Sequence, residues 1–264
     1  MENIIIVLIY IVFIFLIKFI LGIKINDVKK IKEIGYNKEL AKITDKLPPN
    51  KQICKEILKK LENENVKIEE TESKEASLYI VATNTILISD IKDTFMRVQT
   101  IAHECLHSIQ NKKILLFNFI YSNIYIIYFL AVLILTIFGK IKHTALQINI
   151  LIILGFIYYI IRSYLETDAM IKAEYLAKEY MEETDKLTKE EIEIIIKNYK
   201  KVNQKGIQIV NFSLLISVIS KVVIYEILSQ WGHSLLLRSV PLMTKCHKKE
   251  RPHCDKIDNK CYLV

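Results

Sequence analysis

Four long apolar runs, residues 4–23, 114–139, 145–161 and 207–228, constrain this chain more than any other feature of its sequence. A helix needs about 20 apolar residues to cross a hydrocarbon core, and each run approaches or exceeds that length. Charged residues make up 25% of the chain and hydrophobic ones 52%, yet nearly all the charge lies between the runs. Such segregation argues against a soluble globular domain, a disordered chain or a fibrous repeat. The net charge of +8 comes from lysines scattered among almost as many acids. In a chain with several spans, that excess reads as facing an anionic membrane surface, and no nucleic-acid partner is expected.

The runs divide the chain into segments. Residues 1–23 read as an N-terminal transmembrane anchor, uncleaved because no basic segment precedes the run and no small-residue cleavage site follows it. Residues 114–161 read as a transmembrane hairpin, since only the turn 140–144 separates its two runs. Residues 207–228, with Lys221 and Glu226 among them, read as a fourth span. The other reading of that stretch is a helix lying flat in the interface. No Lys or Arg precedes the first run, whereas Lys24, Lys29, Lys30 and Lys32 follow it and Lys112 and Lys113 precede the second. The positive-inside rule then places residues 24–113 in the cytoplasm, and the hairpin returns residues 162–206 to the same side. The expected location is the cell membrane, crossed several times. The tail 229–264 is also basic, which conflicts with a complete fourth crossing.

Between the spans, residues 26–76 read as polar helices broken at Pro48-Pro49, with Ile53, Ile57, Leu58 and Leu61 forming an apolar stripe. Residues 78–88 are β-branched and aromatic around Thr83-Asn84-Thr85, the pattern of a short strand or hairpin. Ser89-Asp90 then predicts the start of a helix running to about Lys113.

On that helix stands His103-Glu104-Cys105-Leu106-His107, an H-E-x-x-H sequence. Residues i and i+4 share a helix face, so both imidazoles can converge on one metal ion. The glutamate between them is placed to hold and deprotonate a metal-bound water. A catalytic zinc takes a third protein ligand and keeps one position open. Glu166, Asp168 and Glu174 follow the hairpin on the same side as the histidines. Glu166 is favoured because, like His107, it stands close to the end of an apolar run. Asp168 lies about 200° from it around a regular helix, so the two cannot point at one metal, and an outer role accepting the second ring N–H of a bound histidine would need an irregular helix start. Ala169, Ala173 and Ala177 recur every four residues and allow close helix approach.

Residues 78–110 and 165–169 resemble the YugP-like membrane-bound neutral zinc metallopeptidases. The residues that carry the resemblance run from Ala102 through His103, Glu104, Cys105, Leu106, His107, Ser108 and Ile109 to Gln110, and from Glu166 through Thr167 and Asp168 to Ala169. Leu106 stands where the family has Gly, and Thr167 where it has an aromatic. The resemblance implies a mainly α, multi-pass membrane protein with a cytoplasm-facing zincin-like segment. It further implies a zinc cofactor held by His103, His107 and Glu166, with Glu104 as general base acting on a protein or peptide substrate. The rival class is a non-catalytic membrane scaffold or assembly factor: Leu106 favours it, and an intact Glu104 between two histidines argues against it.

The five cysteines read as unpaired in a cytoplasmic setting. Cys54 and Cys105 read as small apolar fillers. Four of Cys246, His247, His253, Cys254 and Cys261 could form a second, structural zinc site, but their gaps match no standard spacing, and a loosely ordered polar tail is the favoured reading.

Overall fold

A computed structural model describes residues 2–24, 29, 33–73, 76–91 and 93–239. The tail Cys/His group lies outside the described residues. The chain is mainly helical, and three helices are long and apolar enough to cross a membrane. Four helices contain the apolar runs: α1 (Glu2–Ile20), α5 (Lys112–Ile137), α6 (Thr144–Glu183) and α7 (Lys189–Ser239). The described apolar part of α1, Ile4–Ile20, is shorter than the three long candidates. It packs against α7, where the Tyr10 and Ser220 hydroxyls lie 2.5 Å apart.

The two longest helices run straight through the divisions at 161/162 and 206/207. At those points the composition changes from apolar to polar, or back, with no break in the backbone. The chain turns instead at 184–188, between α6 and α7. Only 17% and 11% of the candidate spanning windows of α5 and α6 are buried, and large apolar side chains such as Ile127, Ile134, Ile153 and Phe156 face outward. In α7 the share is 6%, with most side chains of residues 207–228 half-buried and Ser213, Ser217 and Ile224 exposed. Two tyrosines and two aliphatic side chains, Tyr125, Val132, Leu151 and Tyr225, form a buried cluster between these helices. Gly155 leaves no room for a side chain between them, since an added Cβ would run into Val218 of α7 and the Tyr125 hydroxyl of α5.

The polar segment folds against the extensions of α6 and α7. It comprises α2 (Lys38–Thr44), α3 (Asn50–Lys60), a three-stranded sheet and α4 (Arg97–Ile109). The stripe on α3 buries Ile53, Cys54, Ile57 and Leu58. Strands β2 (Leu78–Ile80) and β3 (Thr85–Ile88) form the expected hairpin, and Asn84 accommodates the turn at φ 52°. The third strand, β1 (Lys67–Glu70), pairs parallel to β3, so the helical expectation for residues 26–76 fails there. Sheet order is β1-β3-β2, which leaves β2 at an edge.

The helix carrying H-E-x-x-H begins at Arg97 rather than near Asp90 and ends at Ile109. Asn111 caps a separate helix, α5, by accepting from the backbone N–H groups of Lys113 and Ile114. Helix α4 is anchored at its start. Tyr199 of α7 stacks on Phe95, with ring centroids 5.4 Å apart, and its hydroxyl donates to the Phe95 carbonyl at 2.8 Å. The Arg97 guanidinium donates to the carbonyls of Thr44 and Pro48. Its apolar face buries Val98, Ile101, Ala102 and Cys105 in one core with Ala169, Ala173 and Ala177 of α6. Each large side chain buried there contributes roughly 1.5–3 kcal/mol, and the small alanines bring α6 close to α4.

Candidate metal centre

Helix α4 presents His103 and His107 one turn apart, with their rings edge to face at 86° and a centroid separation of 4.6 Å. Glu166 reaches them from α6. The Nε2 atoms of the two histidines lie 3.1 Å apart. Glu166 Oε2 is 3.4 Å from His103 Nε2, and Glu166 Oε1 is 3.7 Å from His107 Nε2. Donors bound tetrahedrally at 2.0–2.1 Å stand about 3.4 Å from one another. The three separations lie near that value, the two from Glu166 running to different oxygens, and one ligand atom from each residue stands close enough to the others to hold a metal ion.

A layer of contacts behind these residues fixes their orientation. Gln110 Oε1 lies 2.8 Å from His107 Nδ1, while its amide nitrogen donates to the Leu165 carbonyl at 2.9 Å and to Asp168 Oδ2 at 3.0 Å. Two acceptors hold the NH2 end, so the amide oxygen faces the imidazole. It accepts the proton on Nδ1 and leaves the Nε2 lone pair directed at the centre. Asp168 acts on the histidine through this amide rather than by direct contact, and it also pairs with Lys172 at 2.6 Å. Arg162, one turn before Glu166, pairs with its Oε1 at 2.6 Å. Burial works to lower the basicity of the His107 imidazole. The bond and charge of Glu166, the charge of Glu104 and the bond to Gln110 outweigh it, so the proton is held more tightly than on a free histidine.

Glu104 lies on the neighbouring face and is only 6% exposed. Burial pushes its carboxyl above the usual range, as does the charge of Glu166, against the opposing pull of the two histidines and a hydrogen bond from the backbone N–H of Tyr79. Tyr79 belongs to β2, so the free edge of the sheet runs beside this carboxyl. Strand β2, the two histidines, Glu104, Glu166 and Arg162 line a cleft of about 480 Å3.

Of the three acids expected as candidates, Glu166 alone joins the histidines; Glu174 stands two turns further along α6, and Asp168 binds Gln110. Leu106 is buried in the core and is not among the residues lining the cleft. Cys54 and Cys105 are both fully buried and unpaired, with their sulfurs 3.7 Å apart. Sequence reasoning put Gln110 on the histidine face of the helix but gave it no role, and it missed Arg162 and the β2 edge. Both side chains had a signal: Gln110 follows His107 by three residues and Arg162 precedes Glu166 by four, spacings that share a helix face.

No family model, curated protein or solved structure matches the chain.

Proposed function

We propose that this chain is a membrane-bound zinc metallopeptidase, as its resemblance to the YugP-like family implies, with its centre on the cytoplasmic face of the cell membrane. The observation that carries the reading is the triangle of His103, His107 and Glu166 donor atoms, with the buried acid Glu104 beside it. Three protein ligands leave a fourth position free for a water or substrate. Bound zinc supplies a Lewis acid that polarises a carbonyl and lowers the pKa of its water toward about 7.

The remaining steps fall to side chains of this protein. The Glu104 carboxylate takes the proton of the attacking water and returns it to the leaving amine nitrogen. Gln110 keeps His107 in the tautomer with its Nε2 lone pair free. Arg162 holds one oxygen of Glu166 so that the other faces His103. The edge of β2 offers backbone groups to an extended peptide laid along the cleft. The lysines that flank the apolar runs support the cytoplasmic orientation.

The test is metal analysis combined with a peptide-hydrolysis assay on purified wild-type and Glu104→Gln protein. One zinc per chain in both and hydrolysis in wild type alone are expected. Equal hydrolysis by the two would remove Glu104 from the mechanism, and a metal-free, inactive wild type would favour the scaffold class.

A further inference from the structure

The cleft does not end at the metal-binding triangle. Its lower wall is Leu115, Asn118, Phe119 and Ser122, which share one face of α5 at spacings of three and four residues. These residues belong to a helix long and apolar enough to cross a membrane. Ser122 lies eight residues into the run that starts at Ile114, about 12 Å along the helix axis. Lys112 and Lys113 mark the beginning of that run, and Arg162 marks the end of the neighbouring one on α6. Three cations therefore ring the level at which the apolar surface begins, and the cleft extends from above that level to well below it. Glu166 stands one helical turn, about 6 Å, above Arg162. That rise is comparable to the headgroup layer, roughly 5–7 Å on each side of the hydrocarbon core.

We infer that the substrate is a membrane-anchored polypeptide whose apolar segment enters the cleft along α5 and whose cleaved bond lies just outside the bilayer. This rests on the peptidase reading above and adds its substrate class. An extended chain rises about 3.3 Å per residue, so the bond at the centre lies roughly two to four residues from the end of the apolar segment. The polar wall residues distinguish a polypeptide from a lipid chain. A backbone unwinding at this depth needs hydrogen-bond partners, because hydrocarbon supplies none. The buried Asn118 amide and the half-buried Ser122, whose hydroxyl donates to the Phe119 carbonyl at 3.0 Å and keeps its lone pairs to accept, stand where those partners are required, on the cleft face of a largely apolar segment. An acyl chain has no use for them. Higher in the cleft, the backbone edge of β2 continues the row of polar groups.

The experiment uses full-length Glu104→Gln protein in phosphatidylcholine–phosphatidylglycerol vesicles, with a photoreactive benzophenone amino acid at position 119. Position 122 serves as a second site, and position 120, at the same depth on the opposite face of α5, as control. The probes are one reporter peptide with and without an apolar anchor of about 20 residues. Capture of the anchored peptide at 119 or 122 is expected to exceed both capture at 120 and capture of the unanchored peptide by at least about tenfold, since anchor and site contacts reinforce each other. The adducts should map to the residues next to the anchor. Equal capture at 119, 122 and 120, equal capture of both peptides, or adducts to lipid alone would overturn the inference. Wild-type protein, tested in parallel, separates the two claims. Selective capture without cleavage would remove the hydrolysis reading and leave the cleft assignment standing, whereas equal cleavage of both peptides would do the reverse.

Discussion

Gln110 and His107 are joined by a 2.8 Å contact between Oε1 and Nδ1, and the same amide is fixed from behind by Asp168 and the Leu165 carbonyl. The amide therefore sets which imidazole nitrogen is free for a metal. Gln110→Ala is expected to lower zinc affinity by roughly 10–100-fold, the usual cost of losing an outer partner. Asp168→Ala should cost less, because the Leu165 carbonyl still holds the amide. Titration calorimetry with zinc measures both, and wild-type affinity in Gln110→Ala would dismiss the orienting role.

Loss of a direct ligand should exceed that range. Zinc binding in His103→Ala, His107→Ala and Glu166→Ala is expected to fall more than 100-fold, beyond the roughly 10–100-fold span of outer-layer changes. Glu174→Ala, two turns away, should bind as wild type does. Near-normal binding by Glu166→Ala would break the three-ligand centre while leaving the histidine pair.

Glu104 carries a cost in the metal-free fold. Burial raises its folded pKa above the ordinary value of 4.5. Stability from this group therefore falls as pH climbs from about 4.5 through the raised value, and remains lower above it. Glu104→Gln removes the cost, so the chelator-treated variant should melt above wild type at pH 7, with the gap closing toward pH 4. A change of one kcal/mol corresponds to roughly 2–4 °C in a domain of 150–250 residues. Identical melting curves at pH 7 would show that the buried carboxyl is not under strain.

Sidedness is testable by thiol labelling, though not at Cys54, which is fully buried. Lys51 is exposed on the same helix. A Lys51→Cys variant with Cys246, Cys254 and Cys261 changed to Ser should resist an impermeant thiol reagent in intact cells and react once the cells are opened. Labelling in intact cells would invert the proposed orientation.

The features legible in the sequence are local ones. The α3 stripe, the β2–β3 hairpin and the histidine spacing each depend on residues within one or two turns of each other. Strand β1 was not legible: Lys67-Ile68-Glu69-Glu70 has a helical composition, and its parallel pairing with β3 spans 18 positions from Lys67 to Thr85. The start of α4 was placed too early because Ser89-Asp90 resembles a cap, whereas the structure has Ser89 bonded to Ser77. Glu166 could be favoured because the hairpin fixes its height. Gln110 and Arg162 do keep helical spacing, three residues after His107 and four before Glu166; what spacing within one helix does not encode is the reach of Gln110 across to Leu165 and Asp168 on α6.

The two halves of the candidate centre stand on different rods. His103 and His107 ride on α4, which ends at Ile109, while Glu166 is fixed to α6, a single rod that continues into the apolar run. Ala169, Ala173 and Ala177 lie fully buried in the core the two rods share. Their methyl groups act as the shims of a caliper. One added carbon is about 1.5 Å of extra width, whereas a metal–ligand distance tolerates only about 0.2 Å. The jaw opening at the histidines is thus set by the smallest side chains in the interface, none of which touches the metal position.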